Sequence, residues 1–300
     1  MNKEKDFYYY IYNNKNYFYG LEAERINQIL KKVPSKGSIL EVGCGDGRLL
    51  NRINADFKIG VDFSIKPLFH VNNMVFAANA SNLPFSNNSF DVVICSEVLE
   101  HLDNTTYNKT LHEILRVSSQ YILISVPYKE NLNQRTAKCK NCNRFFNVSL
   151  HYRAFNEVMF ENLFPDADII LIEKFGYRKF FPDIFNKLKR LSGNYFIKEN
   201  IICPYCGNKD PCKKNNLLGK SLNFLLIIVK FFFFFYNKKK PVWILVIFEK
   251  RRHKVIKNYK IENMLICPLC HKRITYKDNI ARCRNGHKFY NIDDILDLRV

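Results

Sequence analysis

The sequence predicts an α/β fold with a doubly wound, mostly parallel sheet, and two observations carry this prediction. Short apolar segments alternate with polar or amphipathic stretches along the first half of the chain, in the rhythm of strand–helix–strand units. The strand-like segments are 38–42, 57–62, 73–77, 90–96 and 121–126. In addition, the segment ILEVGCGDGRLL, from Ile39 to Leu50, reads as a strand that enters a glycine-rich turn and then a helix.

The elements before this turn are simpler. Residues 1–20 are aromatic and polar and form a predicted N-terminal arm. Residues 21–33 have apolar side chains at helical spacing, which predicts a helix that packs on the sheet. Pro34 and Gly37 follow, and both residue types end helices.

The glycine turn and the strand after it indicate a nucleotide site. Gly43, Gly45 and Gly47 let the backbone approach a ligand closely at a strand end. Asp62 closes the next strand, at the distance of about 20 residues where a carboxylate accepts hydrogen bonds from ribose hydroxyls. The alternative for Asp62 is a cap at the strand end. Arg48 stands where a dinucleotide fingerprint has its third glycine, which disfavours NAD.

Residues 39–128 resemble a class I S-adenosylmethionine-dependent methyltransferase of type 11. The matching pieces occur in the same order: EVGCGDG, GVD, NASNLPFSNNSFDVVICSEVLEHL and YILISVPY. The resemblance implies S-adenosylmethionine as cofactor and a seven-stranded sheet with an antiparallel last strand. We assign 167–176 and 241–250 to the sixth and seventh strands. The methyltransferase domain is then 1–252, with insertions at about 129–151 and 177–240.

The resemblance also implies which residues contact the cofactor. The three glycines would lie against its methionine end, Glu41 would reach its amino group, and Asp62 would bind both ribose hydroxyls. Asn79 stands beside the adenine where the family usually has aspartate, and its amide oxygen can still accept a hydrogen bond. The full expected set is Glu41, Gly43, Gly45, Gly47, Asp62, Asn79, Ala80 and Ser96.

No catalytic residue can be assigned from the sequence. Glu97 follows the fourth strand and His101 begins the next predicted helix, so both are candidate acid or base groups, although a histidine there also serves structural roles. The fourth strand is not followed by the [DNS]-P-P-[FYW] tetrad that binds an exocyclic base amine. No Pro-Cys or Thr-Cys stands directly after the fourth, fifth or sixth strand, so the sequence shows no cysteine nucleophile for attack on a pyrimidine C5. Methyl transfer is a displacement that positioning and electrostatics can accelerate without a general base.

Six of the ten cysteines form three C-x-x-C pairs, a spacing that suits zinc in a reducing compartment. The N-terminus lacks the apolar core of a secretory signal, so we expect a cytoplasmic protein. The segment 263–300 holds Cys267, Cys270, Cys283 and His287, which fit two ligand pairs of one tetrahedral zinc. It resembles the zinc ribbons of methyltransferases and of their small activators. If segment 263–300 is such a ribbon, it is a docking module or the remnant of a longer fusion. The alternative is that the segment is a metal-free loop.

The other two pairs, one in each insertion, are Cys139 with Cys142 and Cys203 with Cys206. They bind a second zinc only if the two insertions lie side by side. Either His151 or Cys212 could replace one of these four ligands.

The net charge of +19 is uneven, because residues 1–130 have equal numbers of basic and acidic side chains. The basic second half predicts an anionic partner such as RNA, a phosphorylated carrier or a membrane face, unless it reflects only biased composition. Within it, 217–236 is an apolar segment interrupted by Lys230 and followed by Lys238–Lys240. Both ends of its insertion must return to one sheet, so we expect no transmembrane span. The expected structure of 217–236 is then a helix that packs on the domain or faces a partner, or a helix that lies at a membrane surface.

The methyl acceptor stays open at this point. The type 11 motifs favour a small molecule or a carrier- or lipid-linked saccharide. The basic half and the ribbon make RNA, either tRNA or rRNA, the alternative. A non-catalytic zinc-binding scaffold is a third reading, and the intact glycine loop and Asp62 argue against it.

Overall fold

The computed structural model describes residues 19–134, 136–180, 202–208, 238–251, 259–277 and 279–300. Most of the predicted N-terminal arm, the apolar segment 217–236 and Cys212 lie outside the described residues. The helices among the described residues are α1 (Tyr19–Leu30), α2 (Ile65–Leu68), α3 (Asn104–Val117), α4 (Val158–Glu161) and α5 (Ile261–Met264). None of the described helices is long and apolar enough to cross a membrane.

The strands number fifteen among the described residues and fall into one large sheet and two small ones. They are β1 (Ser38–Val42), β2 (Phe57–Asp62), β3 (Met74–Ala77), β4 (Phe90–Ser96), β5 (Ser118–Pro127), β6 (Thr136–Lys138), β7 (Phe145–Asn147), β8 (Ala167–Phe175), β9 (Arg178–Lys179), β10 (Lys239–Lys240), β11 (Trp243–Lys250), β12 (Ile274–Lys277), β13 (Ile280–Cys283), β14 (Lys288–Ile292) and β15 (Ile295–Asp297).

The central sheet has the predicted Rossmann-like order. Strands β3, β2, β1, β4 and β5 are parallel neighbours, and β11 lies between β5 and β8, antiparallel to both. The assignment of 167–176 and 241–250 to the last two strands is confirmed. All five residues of β1 are buried, as expected for a strand whose two faces are both covered.

Two apolar layers cover the two faces of this sheet. Helix α3 contributes Ile114 and Val117 to one layer, which also holds the aromatic rings of Phe85 and Phe90. Helix α1 contributes Ile26 and Ile29 to the other layer. Asp103 caps α3 by accepting hydrogen bonds from the backbone N–H groups of Thr105 and Thr106 at 2.8 and 3.1 Å.

The sequence predicted a helix directly after the glycine turn, and this prediction is wrong. The chain makes turns and one short 3₁₀ helix at Leu50–Arg52 before β2 begins. Ile53 is already extended, with φ −65° and ψ 131°, which ends the helical hydrogen-bonding pattern. The chain runs extended from Ile53 into β2, so the helical turn at Leu50–Arg52 is not continued.

The C-terminal segment widens the sheet beyond the seven expected strands. Strand β15 pairs parallel with β3, and β14, β13 and β12 follow as antiparallel neighbours, giving an 11-stranded sheet. The register aligns Leu296 with Phe76, and the Leu298 N–H donates to the Ala77 carbonyl at 2.8 Å. Strand β15 therefore covers the edge that β3 would otherwise leave unpaired.

A second contact joins the C-terminal segment to the main domain. The Ser86 N–H donates to the Met264 carbonyl at 2.8 Å, and the Ile266 N–H donates to the Pro84 carbonyl at 3.0 Å. Cys267, Cys283 and Leu298 share one buried apolar cluster with the strands of the main sheet. The segment is thus attached at two places, and its core is continuous with that of the sheet.

Candidate functional site

The glycine turn is held against β2 by its own backbone. The N–H groups of Gly43 and Cys44 both donate to the Val61 carbonyl, at 2.8 and 3.0 Å. Gly43, Gly45 and Gly47 have φ angles of 74°, 53° and 76°, in the left-handed region. A Cβ atom on Gly43 would also lie 2.2 Å from Cγ2 of Val98. Position 43 therefore needs glycine both for its backbone angle and for the space.

Asp62 ties the turn to the end of β2. Its Oδ2 accepts from the Gly45 N–H at 2.9 Å, and its Oδ1 accepts from the Ser64 N–H at 2.8 Å. Burial raises the pKa of Asp62 to about 6, and the hydrogen bonds from Ser64 and Gly45 oppose that rise. Asp62 therefore caps the end of β2, which was the alternative role considered for it. Each carboxylate oxygen can still accept another hydrogen bond, so the ribose role remains open to it.

Glu41 lies in β1, the strand next to the one that ends at Asp62, and its carboxyl group is buried. Its side chain is 4% exposed, and burial raises its pKa to about 8, opposed by the charge of Arg25. The backbone N–H of Leu50 hydrogen-bonds to the carboxyl group, while Oε2 accepts no hydrogen bond among the described residues. A buried polar atom without a partner is costly. An ammonium group bound beside the turn would satisfy this oxygen, so the residues present fit the amino end of the expected cofactor.

Asn79 and Ala80 lie just beyond β3, as the adenine position requires. The amide oxygen of Asn79 accepts from the Ser81 N–H at 3.0 Å and from the Ser81 hydroxyl at 2.8 Å. This local turn occupies both lone pairs of the oxygen that we expected to receive the adenine amino group. An adenine contact through that oxygen would have to displace one of the Ser81 bonds, and it stays a prediction.

Arg299 borders the same region, and no sequence pattern predicted it. Its Nη1 donates to the Phe63 carbonyl at 2.9 Å, and its guanidinium lies 5.7 Å from the Phe63 ring centre. Asp297 fixes the guanidinium through Nε at 2.7 Å. Phe63 directly follows Asp62, so the last residues of the chain reach the nucleotide side of the candidate site. A contact between residues 236 positions apart leaves no local pattern.

The end of β4 joins the cofactor residues to a second polar group. Arg25 on α1 donates a hydrogen bond from Nη1 to the Ser96 hydroxyl. Glu97, the next residue, has a φ of 57°, which is uncommon for a non-glycine residue. Its N–H donates to the Ser125 carbonyl at 2.9 Å, and its carboxyl group accepts a hydrogen bond from the Trp243 indole. Burial raises the pKa of Glu97, opposed by Arg25.

We expected His101 to begin the next helix, and this prediction is wrong. It lies in a 3₁₀ helix at Leu99–His101, and α3 begins three residues later because Asp103 forms its cap. Burial and the neighbouring His151 lower the pKa of His101 to about 3. The imidazole is therefore neutral at pH 7 and a weak base, and its role as an acid or base group is not supported by this environment.

The four cysteines of the two insertions meet in one cluster. The Sγ atoms of Cys139 and Cys206 are 3.5 Å apart, and those of Cys142 and Cys203 are 3.6 Å apart. All four sulfur atoms lie within 4.8 Å of one another. A tetrahedral zinc with bonds of about 2.3 Å needs sulfur atoms about 3.8 Å apart. The geometry fits four-cysteine ligation, and it requires neither His151 nor Cys212.

The C-terminal set converges in the same way. Nδ1 of His287 lies 3.4 Å from the Sγ atoms of both Cys267 and Cys283, and Cys270 Sγ lies 3.6 Å from Cys283 Sγ. The turns after the three C-x-x-C pairs share a backbone feature, a positive φ four residues after the first cysteine. These residues are Asn143, Gly207 and His271, at 56°, 76° and 56°. The three pairs thus form the same type of turn, with donors that suit zinc.

Comparison with known proteins places a methyltransferase domain in residues 40–120, which match the family described by that name. An uncharacterized protein of Methanocaldococcus jannaschii is 36% identical over 135 residues, 43% of this chain and 58% of that protein. The tRNA (carboxymethyluridine(34)-5-O)-methyltransferase of Arabidopsis thaliana is 33% identical over 108 residues, 34% of this chain and 27% of that protein. The chain therefore spans less than two thirds of the length of either relative.

Among solved structures, a SAM dependent methyltransferase from Archaeoglobus fulgidus aligns with a TM-score of 0.47 and 17% identity. The alignment covers 81% of this chain and all of that one. The matched segment 40–120 contains the glycine turn, Asp62, Asn79 and Ser96, and therefore every expected cofactor contact.

Proposed function

We propose that this chain is an S-adenosylmethionine-dependent methyltransferase. The observation that carries the proposal is the convergence, inside the matched domain, of the glycine turn, Asp62 and the buried carboxyl group of Glu41. Glu41 Oε2 would accept the ammonium group of the methionine moiety, and Asp62 would accept the ribose hydroxyls. The backbone of the turn would lie against the methionine carboxylate.

When bound, S-adenosylmethionine would supply a methyl group on a positively charged sulfonium. The acceptor atom would bond to the methyl carbon as the carbon–sulfur bond breaks, the sulfur would leave as a neutral thioether, and any proton on the acceptor would pass to solvent. This chain would bind and align the reactants rather than move a proton at a dedicated base. A cationic ligand beside the buried carboxyl group of Glu41 and the half-buried one of Asp62 would favour their ionised forms and would therefore bind better than a neutral ligand.

The two cysteine clusters would each hold one structural zinc ion. The four-cysteine site would join the insertion after β5 to the segment around residue 203, and the C-terminal site would fix the turns that precede β15. Both sites have all four positions taken by protein donors, which is typical of structural rather than catalytic zinc. The support is the donor chemistry and the spacing of the ligand atoms.

For the acceptor, our first candidate is a small molecule or a carrier- or lipid-linked saccharide, supported by the type 11 character of the matched segment. The second candidate is RNA. Its support is the name of the Arabidopsis relative, which is a tRNA methyltransferase, together with the basic excess in residues 131–300. Phosphate contacts by basic side chains would make RNA binding fall steeply as salt increases.

The experiment that separates these candidates is transfer of a labelled methyl group. The purified chain is incubated with S-adenosylmethionine and, separately, with total small RNA and with a small-molecule and lipid-linked saccharide extract. Label in the saccharide extract supports the first candidate, and ribonuclease-sensitive label that decreases at high salt supports the second. Asp62→Ala should abolish either signal, whereas Asp56→Ala, at the exposed opposite end of β2, should retain it. Equal label with Asp62→Ala and wild type would contradict the proposed site.

A further inference from the structure

A third group of side chains of metal-ligating types shares no residue with either cysteine cluster. Glu100, His101 and His151 each offer one ligand atom, and these atoms lie within 4.8 Å of one another. Glu100 and His101 come from the 3₁₀ helix after β4, and His151 comes from the insertion after β5. From this arrangement we propose that the chain binds a divalent transition-metal ion at Glu100, His101 and His151. This site goes beyond the proposed function and does not depend on it.

The backbone holds the two contributing segments together. The Tyr152 N–H donates to the Glu100 carbonyl at 2.8 Å. The Arg153 guanidinium donates to the Leu99 carbonyl at 3.1 Å and lies 3.8 Å from the centre of the Tyr107 ring. The ligand atoms therefore meet because the chain fixes both segments, and a metal ion would bind to a largely formed site.

Glu100 is the strongest evidence that a cation belongs here. Glu100 is 0% exposed, and neither of its carboxyl oxygens accepts a hydrogen bond from another described residue. A carboxyl group buried without a partner is destabilising, and such groups require an explanation. The guanidinium of Arg25 donates its hydrogen bond to Ser96 rather than to Glu100. A metal ion bonded to the Glu100 carboxylate would compensate its buried charge.

The two imidazole rings are oriented as metal ligands usually are. Nδ1 of His151 hydrogen-bonds to Oε2 of Glu130, and a carboxylate on the second ring nitrogen is the usual support for a metal-bound histidine. Backbone groups of Ser149 and Leu150 hydrogen-bond to His101 and orient its ring. The ring centres of His101 and His151 are 4.6 Å apart at 77°, so the two rings meet edge to face.

The donor set indicates which ion would bind. Two imidazole nitrogens and one carboxylate oxygen suit zinc, iron(II), manganese(II) or cobalt(II), whereas magnesium and calcium prefer oxygen donors alone. Glu97 and Glu130 add two more carboxyl groups around the site, and Arg25 is the cation that opposes them. Arg25 also acts on Glu41, so the site lies close to the candidate cofactor pocket.

The test uses Mn²⁺ as the probe, because thiolate sites that hold zinc take up manganese poorly. The full chain, purified with its cysteine sites loaded with zinc, is titrated with Mn²⁺, and the free ion is measured by electron paramagnetic resonance. We expect one bound Mn²⁺ per chain, displaced by added Zn²⁺. His151→Ala and Glu100→Gln should each weaken binding at least about tenfold, and Glu130→Gln should weaken it about 10–100-fold through His151. His112→Ala, which changes an exposed histidine on α3, should bind as wild type.

Failure to bind Mn²⁺, or equal binding by wild type and both ligand variants, would overturn the proposal. Calorimetry with S-adenosylhomocysteine on the same proteins separates this result from failure of the proposed function, because His151→Ala leaves the glycine turn and Asp62 intact. Fluorescence of Trp243 identifies a variant that does not fold. His151 lies in a loop, so its variant decides the test if Glu100→Gln is unfolded.

Discussion

Truncation of Leu298 to alanine tests whether the C-terminal segment and the main sheet form one cooperative unit. Leu298 directly follows β15, is 0% exposed and shares a core cluster with residues of the main sheet. Removing a buried leucine side chain costs about 2–5 kcal/mol, because apolar contacts are lost and a cavity remains. If β15 unfolds together with β3, this whole cost is subtracted from the free energy of unfolding of the sheet.

The assay uses the single tryptophan of the chain. Trp243 lies in β11, on the opposite side of the sheet from β15, and is 7% exposed, so its fluorescence reports the main sheet and not the C-terminal segment. With a urea dependence of about 3 kcal/mol per molar, Leu298→Ala should lower the Trp243 unfolding midpoint by about 1 M. Val300→Ala, at a position that is 52% exposed, is the matched control and should leave the midpoint unchanged.

A Trp243 transition that stays in place in Leu298→Ala would refute this reasoning. It would mean that the C-terminal segment unfolds by itself and that the pairing of β15 with β3 adds little to the stability of the sheet. Circular dichroism followed in the same titration would then show a second transition that belongs to the C-terminal segment.

Three further outcomes are expected. Elemental analysis should lose one zinc per chain in Cys203→Ser and another in Cys267→Ser, and unchanged zinc in either variant would contradict that site. Burial raises the pKa of Glu41 to about 8 from 4.5, so the folded state keeps a proton that the unfolded chain releases. The free energy of unfolding should therefore fall as pH rises from 4.5 to about 8, and Glu41→Gln should flatten that fall in urea titrations at several pH values. Gly43→Ala combines about 1–3 kcal/mol of backbone strain with a side-chain clash, so it should destabilise more than Gly207→Ala, which has a similar φ and open space around it.

The fold could be predicted from the sequence at positions where a local pattern is compatible with only one structure. The apolar runs of β1, β4 and β11 have no stable place outside a buried sheet, so the strand positions could be predicted. The antiparallel direction of the last strand followed from the family resemblance and not from these runs. The glycine turn and Asp62 could be predicted because backbone angle and close approach restrict those positions. Both metal-ligand clusters could be predicted from the C-x-x-C spacing. The four-cysteine cluster additionally required the two insertions to be neighbours, whereas the C-terminal set lies within one segment.

Other features depend on contacts that leave no local pattern. The short strand Ile295–Asp297 pairs with β3 because an open edge lies next to it, and neither segment shows this alone. His151 was named only as an alternative to one of the four cysteine ligands, and the structure places it with Glu100 and Glu130. The helix after the glycine turn was predicted from a common arrangement of such folds, but the chain becomes extended at Ile53 and only a 3₁₀ helix at Leu50–Arg52 forms.

The most direct test of the central claim is calorimetry with S-adenosylhomocysteine on wild type, Asp62→Ala and Asp56→Ala. Wild type should bind one molecule per chain. Hydrogen bonds to a charged group contribute about 1.5–3 kcal/mol each, so loss of two from the ribose should weaken binding of Asp62→Ala at least about a hundredfold. Asp56→Ala should bind as wild type. Absence of binding by the wild-type chain would contradict the methyltransferase account and favour a non-catalytic scaffold, and equal binding by Asp62→Ala would show that the cofactor site lies elsewhere.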